Sequence, residues 1–297
     1  MAVRLRHRIE YAALRAFAGL FRALPHRAAL AAAWPVAALG HWVVGFRRRE
    51  ARRRIRSVLG ASVSPRDIRR IAWISWRNLC FNAAELARLP RMDGAWFAAR
   101  TDYADLGKAR EALAPGRGLI FAVAHSGNWD LAGIGAHRAG LPVFFIARPQ
   151  RNPLTDAYLN RLRTITGADV VANDASVLRN VIRRLRAGGL VAMLPDVRSR
   201  TPALALRFLG GTANIAGGIA LFARHTDSPI LPGFIERVGW TRHRLRLFDP
   251  VRPDPSVPKE EDARRMLQAV LDILDREVRA QPEQYFWYNK RWVLDPL

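Results

Sequence analysis

The sequence predicts an α/β fold: a largely parallel central sheet flanked by helices, preceded by a helical N-terminal segment. Three observations carry this expectation. From Lys108 onward, short apolar runs alternate with helical stretches, the pattern of strands joined by crossover helices. The runs are strand-length and rich in β-branched and aromatic residues. Before Lys108 the apolar residues recur instead at helical spacing. No stretch is rich enough in Gly, Ser or Pro to act as a linker. Residues 1–60 are therefore expected as the helical segment and 61–297 as a single domain.

The elements follow in order. Tyr11 to Leu24 combines apolar residues with Arg15 and Arg22 and reads as an amphipathic helix. Ala28 to Phe46 approaches membrane-spanning length, but it is alanine-rich and holds Pro35, Gly40 and His41. Trp34 and Trp42 suit a membrane interface. The cluster Phe46–Arg56, FRRREARRRIR, is of the kind that binds anionic headgroups. The reading favours an interfacial, monotopic segment over a true span. Its alternative is a helical hairpin packed on the domain with solvated arginines. Arginines interrupt the early apolar run, so a secretory signal is not expected. Ser64-Pro65 reads as a cap and first-turn proline, opening a helix whose stripe is Ile68, Ile71, Ala72, Leu79, Ala83 and Leu86. Trp73 and Trp76 are expected to pack or to touch the interface. Strands are expected at Leu119–Ala124, Val143–Ala147, Val170–Val171, Leu190–Leu194, Ile230–Ile235 and Leu245–Leu247. Helices are expected at 130–139, 153–165, 175–187, 213–225 and 260–280.

Composition bounds the function. A net charge of +23 over 297 residues implies a polyanionic partner: nucleic acid, anionic lipid or an acidic protein. One cysteine, Cys80, excludes an intramolecular disulfide framework and a Cys-only zinc site. Flanked by Leu79 and Phe81, it reads as a small buried hydrophobe. No Walker-A loop, dinucleotide glycine fingerprint or metal-ligand spacing is present, so no cofactor is expected.

The chemistry centres on Gly118–Asp130, GLIFAVAHSGNWD. A buried strand ends at His125, a Ser-Gly-Asn turn follows, and Asp130 opens a helix. Strand, turn and helix can fold His125 and Asp130 together at the carboxyl edge of a sheet, where open α/β folds place their ligands. A histidine oriented by a carboxylate is a general base of near-neutral pKa. Taken alone, the pair is better explained as a surface histidine beside a helix-capping carboxylate, because short motifs match often by chance.

HSGNWD resembles the H-x4-D/E motif of membrane acyltransferases, in the form found in the lauroyl/myristoyl acyltransferases of lipid A biosynthesis. That family includes mycobacterial phosphatidylinositol mannoside acyltransferases. ARPQRNPLTD (Ala147–Asp156), RTITGADVV (Arg163–Val171), LRAGGLVAMLPD (Leu185–Asp196) and PEQYFWYNKRW (Pro282–Trp292) follow in the family's order. The resemblance implies transfer of a fatty acyl chain from a thioester onto a hydroxyl of a lipid A precursor or related glycolipid. The donor it implies is an acyl-acyl carrier protein, with acyl-CoA as the alternative. It implies His125 as base with Asp130 as its partner, and a site on the cytoplasmic face of the inner membrane.

Arg148, Asn128, Arg163, Asp196 and Arg291 are the substrate-binding candidates that the resemblance supplies. Arg148 follows a strand and is expected to emerge beside His125, holding a phosphate or an oxyanion. Asn152 and Pro153 fit a helix cap and first-turn proline. Glu85 matches a glutamate common in the family; without that match it reads as solvated. Two departures stand out. Relatives often follow the aspartate with Gln, where this chain has Asp196-Val197-Arg198, and they place a threonine within the stretch that here reads ANIAGG (Ala213–Gly218). A nucleic-acid-binding protein is the rival from another class, given the charge and the interleaved aromatics and cations at Tyr285–Trp292. No recognition motif of the common modules supports it, so no nucleic-acid partner is expected.

Overall fold

In the computed structural model, residues 3–147, 150–165, 167–172 and 174–296 are described. The N-terminal part is helical: α1 (Leu5–Ala23), α2 (His26–Ala38), α3 (Arg48–Leu59) and α4 (Pro65–Arg88). Then come α5 (Gly94–Arg100), β1 (Thr101–Asp102), α6 (Leu106–Leu113), β2 (Leu119–Val123), α7 (Trp129–Arg138), β3 (Val143–Ala147), α8 (Pro153–Thr164), β4 (Asp169–Ala172), α9 (Val177–Arg186) and β5 (Leu190–Met193). The chain continues through β6 (Leu204–Phe208), β7 (Gly211–Ile215), α10 (Gly218–Thr226), β8 (Ile230–Val238), β9 (Arg242–Leu247) and α11 (Lys259–Ala280).

Seven strands form one sheet in the order β1-β9-β8-β2-β5-β3-β4. Every pairing is parallel except the β8–β9 hairpin. Strand β2 lies at its centre and is buried along its whole length. Ile120 and Ala122 face one core cluster, whereas Leu119, Phe121 and Val123 face another. A strand covered on both faces needs a continuous apolar run rather than alternation, which is what its sequence carries. Gly118 leads into it at φ +71°, where a Cβ would meet the Leu185 carbonyl oxygen at 2.4 Å, so a side chain is excluded.

One expected helix is corrected. Residues 213–215 of the predicted helix 213–225 belong to β7, which pairs antiparallel with β6, and the helix starts at Gly218. Leu209 (φ +51°) and Gly210 (φ +82°) form the two-residue connection, and positive φ at both positions suits the twist of a hairpin. A leucine in that first position hides the turn from sequence reasoning, because Asn, Asp or Gly is the usual signal.

The stripe predicted for α4 is corrected too. Ile68, Ile71 and Ala72 are buried as expected, but Ala83 is exposed. Beyond them the helix buries the polar residues Ser75, Asn78, Asn82 and Glu85 beside the apolar Phe81, Ala84 and Ala87. Ser64 caps the helix as predicted, its hydroxyl accepting from Asp67 N at 3.1 Å.

Helix α2 ends in a π-helical turn over Leu39–Val43, and α3 leaves at 85° to the helical run His26–Val43. Among the described residues no single helix is long and apolar enough to cross a membrane; this bent pair passes the same test of length and composition together. Trp42 stacks on Trp73 at 4.1 Å between ring centroids, and Trp76 donates to the Ala37 carbonyl at 2.9 Å, fastening the turn to α4.

Arg54, expected among the headgroup-binding arginines, is 2% exposed. Its Nη1 donates to the carbonyls of Trp287 and Asn289 at 2.9 and 2.8 Å, its Nη2 reaches Asp295 at 3.3 Å, and the guanidinium lies 4.9 Å from the Trp292 ring centroid. It clamps the C-terminal segment onto the domain. Arg54→Ala is predicted to destabilise the protein by about 3 kcal/mol in urea unfolding. Arg53→Ala on the exposed face is predicted to stay within about 0.5 kcal/mol of wild type. Equal effects would remove the clamp assignment.

Candidate active site

The register of the sheet builds the site. In the β2–β5 ladder Ala122 pairs with Met193. His125 and Asp196 each stand three residues further on, so parallel pairing delivers them side by side at the carboxyl edge. Asp196 is 2% exposed and grips the histidine twice. One oxygen accepts from the His125 backbone N–H at 2.8 Å and the other sits 2.7 Å from Nδ1. That contact fixes Nδ1 as the protonated nitrogen when the imidazole is neutral, leaving Nε2 as the basic one. The imidazole is 20% exposed, and the Trp129 ring meets it edge-on at 5.1 Å.

Tyr285 stands behind Asp196. Burial pushes its hydroxyl well above the usual phenol range, and the Asp196 carboxylate, to which it is hydrogen-bonded, adds to the shift. The phenol stays protonated and is available to the carboxylate as a donor.

The turn after His125 is held on every side. The His125 carbonyl accepts from Phe286 N at 2.8 Å, and Gly127 N donates to the Gln284 carbonyl at 3.0 Å. Ser126 Oγ accepts from Ile235 N at 3.1 Å, and Ser75 Oγ donates to the Tyr285 carbonyl at 2.6 Å. Gly127 has φ +51°, and a Cβ there would lie 2.6 Å from the Ile235 carbonyl oxygen; only glycine fits.

Beneath the turn lies a buried polar network. Glu85 is fully buried and pairs with both terminal guanidinium nitrogens of Arg237, at 2.9 Å on Nη1. It accepts from Asn128 Nδ2 at 2.8 Å and lies 3.2 Å from His243 Nε2. Arg237 also donates to Asn82 at 2.7 Å, and Asn82 donates in turn to the Gly127 carbonyl at 2.5 Å. Burial alone would raise the Glu85 pKa, but Arg237 and then His243 hold it far below the usual carboxylate range. His26, 3.6 Å away, is lowered to about 4, chiefly by burial, and is neutral at physiological pH.

The predicted site residues divide accordingly. His125 and Asp196 are brought together, with Asp196 at Nδ1; the sequence reading pairs the histidine with Asp130. Asp130 lies in the first turn of α7, half-buried. Asn128 is 2% exposed, and its amide serves the fold: Oδ1 caps α7 by accepting from Leu131 N at 3.2 Å, while Nδ2 reaches Glu85. Arg291 is half-buried in the C-terminal segment. Arg163 belongs to α8, and Arg148 lies outside the described residues. Asn152 caps α8, accepting from Leu154 N at 3.1 Å. Glu85, expected solvated on its own merits, is the centre of the network. Sequence reasoning missed Arg237, His243 and Asn82, which read as ordinary surface or helix residues until a carboxylate is known to lie among them.

The C-terminal aromatics close the core. Tyr285, Trp287, Tyr288 and Trp292 are all buried, so their faces are not available for stacking on bases. Burial pushes the Cys80 thiol up to about 11, which makes it a poor nucleophile. Among the described residues no group of three or more His, Cys, Asp or Glu could hold a metal ion.

The network predicts strong coupling. Glu85→Ala and Arg237→Ala, each leaving its partner's charge buried and unpaired, should cost about 3–5 kcal/mol of stability. The double variant should cost clearly less than their sum, as read from a denaturant double-mutant cycle. Additive losses would mean that the two residues do not act as a pair.

The profile of the bacterial lipid A biosynthesis acyltransferase family matches residues 2–293. A lipid A biosynthesis acyltransferase of Haemophilus influenzae is 23% identical over 190 residues, covering 63% of this chain and 58% of that protein. A phosphatidylinositol mannoside acyltransferase of Mycolicibacterium smegmatis is 22% identical over 216 residues, 71% of this chain and 68% of the relative. One from Mycobacterium tuberculosis is 24% identical over 219 residues, 71% and 66% respectively. The chain thus spans between about three-fifths and two-thirds of the length of these relatives. With a profile match across nearly its whole length, the chain belongs to the bacterial lipid A biosynthesis acyltransferase family.

Proposed function

We propose that this protein transfers a fatty acyl group from an acyl thioester to a hydroxyl of a glycolipid, a lipid A precursor or a relative of it. The observation that carries the reading is His125, partly exposed at the sheet edge with Nδ1 held by a buried carboxylate. Nε2 takes the proton of the acceptor hydroxyl as its oxygen attacks the thioester carbonyl. Asp196 stabilises the imidazolium so formed. The tetrahedral intermediate then collapses, the carbon–sulfur bond breaks, and the imidazolium returns its proton to the leaving thiolate. Thioesters are already activated, so no acyl-enzyme is required.

Asp196 takes the tautomer-fixing role in this proposal because it holds both Nδ1 and the backbone N–H of His125. Asp130, which the motif pairs with the histidine, is assigned to orienting the acceptor at the start of α7. Arg148, Arg163 and Arg291 are assigned to anionic groups of the substrates on the strength of the motif matches. Acyl-acyl carrier protein is the proposed donor, since the strongly basic chain suits an acidic carrier. A second reading has support of its own: a phosphatidylinositol mannoside as acceptor, after the names of the mycobacterial relatives; acyl-CoA is the donor proposed with it.

The proposed seat on the membrane is the α2–α3 bend. Val43 and Val44 are 76% and 69% exposed there, beside partly exposed Trp34, Trp42 and Phe46. Arg49, Arg53 and Arg56 follow on the exposed face of α3. This combination of apolar tip and basic flank suits an anionic bilayer surface on the cytoplasmic side of the inner membrane.

His125→Ala is expected to lower turnover by on the order of 10² to 10⁴ in an acyl-transfer assay on folded protein. Asp196→Asn should fall in the same range and add little on top of His125→Ala, because residues acting as a unit are not additive. Asp130→Asn should act mainly on acceptor KM; an Asp130 loss confined to kcat, with Asp196→Asn near wild type, would return the orienting role to Asp130. For the membrane seat, Arg49→Gln/Arg53→Gln/Arg56→Gln should weaken binding to anionic vesicles by about 1 kcal/mol per residue and leave detergent-dispersed activity intact. Unchanged vesicle binding with lost activity would place these arginines at the catalytic or donor surface instead.

A further inference from the structure

A cleft of about 300 Å³ opens between α1 and α8, and none of its lining residues belongs to the candidate active site. Arg15, Arg22 and Arg161 all line it, and no carboxylate does. Two of these cations are held in place by tyrosines. The Arg15 guanidinium lies 5.5 Å from the Tyr158 ring centroid and 5.9 Å from that of Tyr11, while Nη1 donates to the Tyr11 hydroxyl at 3.1 Å. Arg22 donates from Nη2 to the Tyr158 hydroxyl at 3.2 Å. Its Nε is buried and, among the described residues, has no hydrogen-bond partner. The opposite wall is apolar, built by Leu154, Leu162 and the 42%-exposed Ile165.

Three guanidiniums around one cleft repel one another, and no carboxylate among its lining residues offsets them. Arg15 is stacked and hydrogen-bonded, Arg22 is hydrogen-bonded, and both line the same space. Held in this way they have already lost much of their rotamer freedom, which lowers the cost of binding. A guanidinium presents donors in a planar fork that matches phosphate oxygens, and a charge-assisted contact there would occupy the orphaned Nε. The apolar wall asks for something a free ion lacks.

We propose that this cleft binds the phosphate of an amphiphile: a phosphorylated lipid headgroup whose first apolar carbons lie against Leu154, Leu162 and Ile165. The site is separate from the acyl-transfer site and does not depend on it. It ties the N-terminal helix α1 to α8 through a ligand drawn from the membrane.

Titration calorimetry on the full chain with short-chain, monomeric probes tests this. Dihexanoyl phosphatidate should bind at least roughly tenfold more tightly than inorganic phosphate or dihexanoyl phosphatidylcholine, because it alone offers both the phosphate monoester and the apolar arms. Arg22→Gln/Arg161→Gln should weaken phosphatidate about tenfold or more. Ile165→Glu, a change at an exposed rim that the fold tolerates, should weaken it in the same direction. Equal affinity for inorganic phosphate would reduce the site to a general anion cleft and overturn the proposal. So would tighter binding of adenosine 3′,5′-bisphosphate, which would assign the cleft to a nucleotide, or phosphatidate binding that neither variant changes.

Discussion

A carboxylate removed from water must be paired, and the location of its partners then becomes a constraint on the fold. Glu85 is that constraint here. It sits on the long helix α4, its counter-charge Arg237 comes from strand β8, and Asn128 comes from the turn after β2. Three elements far apart in sequence must meet at one point or leave a charge stranded in the interior, at a cost of several kcal/mol. Arg237 also takes Gln284 as a backbone partner, with N donating to Oε1 at 2.8 Å, and Gln284 holds Gly127 through its own carbonyl. The result is a closed ring of polar contacts around the Gly127 peptide. His125 is two residues away and inherits its position from that ring.

A network of this kind does different work from an apolar core. Apolar packing is tolerant, since side chains of similar volume exchange at small cost. Satisfied buried polar groups admit few alternatives, because each displaced donor or acceptor loses its partner without recovering water. Beneath a turn whose histidine is held at both its backbone N–H and its Nδ1, the intolerant solution keeps one geometry.

The sequence made the outline of this arrangement legible and left its internal wiring obscure, for physical reasons. Strand β2 was readable because burial on both faces demands an uninterrupted apolar run. The turn after it was readable because Ser-Gly-Asn has few other uses. The contact at His125 Nδ1 was harder, since the motif pairs the histidine with Asp130, whereas parallel pairing brings Asp196, just beyond the end of β5, to 2.7 Å. Register between strands leaves no trace in a single sequence. The polar face of α4 escaped for a related reason: periodicity is read from apolar residues, and where a buried face turns polar the signal reverses. The β6–β7 hairpin went unread because Leu209 occupies a position where a turn former is expected. The basic segment 47–56 was legible as a charge cluster, but charge alone could not tell that Arg54 points inward to the carbonyls of Trp287 and Asn289.

Those contacts, with the seating of Gln284, Tyr285 and Phe286 against the His125 turn, give the chain a temporal order. Residues 284–286 supply an acceptor to Gly127, a donor to the His125 carbonyl and the hydroxyl behind Asp196. On the ribosome, β2, β5 and the helices between them can emerge and pair while the turn still lacks these partners. The histidine is fully braced only after α11 has been made and the segment beyond it has folded back across the sheet edge. A nascent or prematurely terminated chain therefore carries the motif without the means to hold it in place. Order in the His125 turn is thus completed by residues that lie some 160 positions further along the chain.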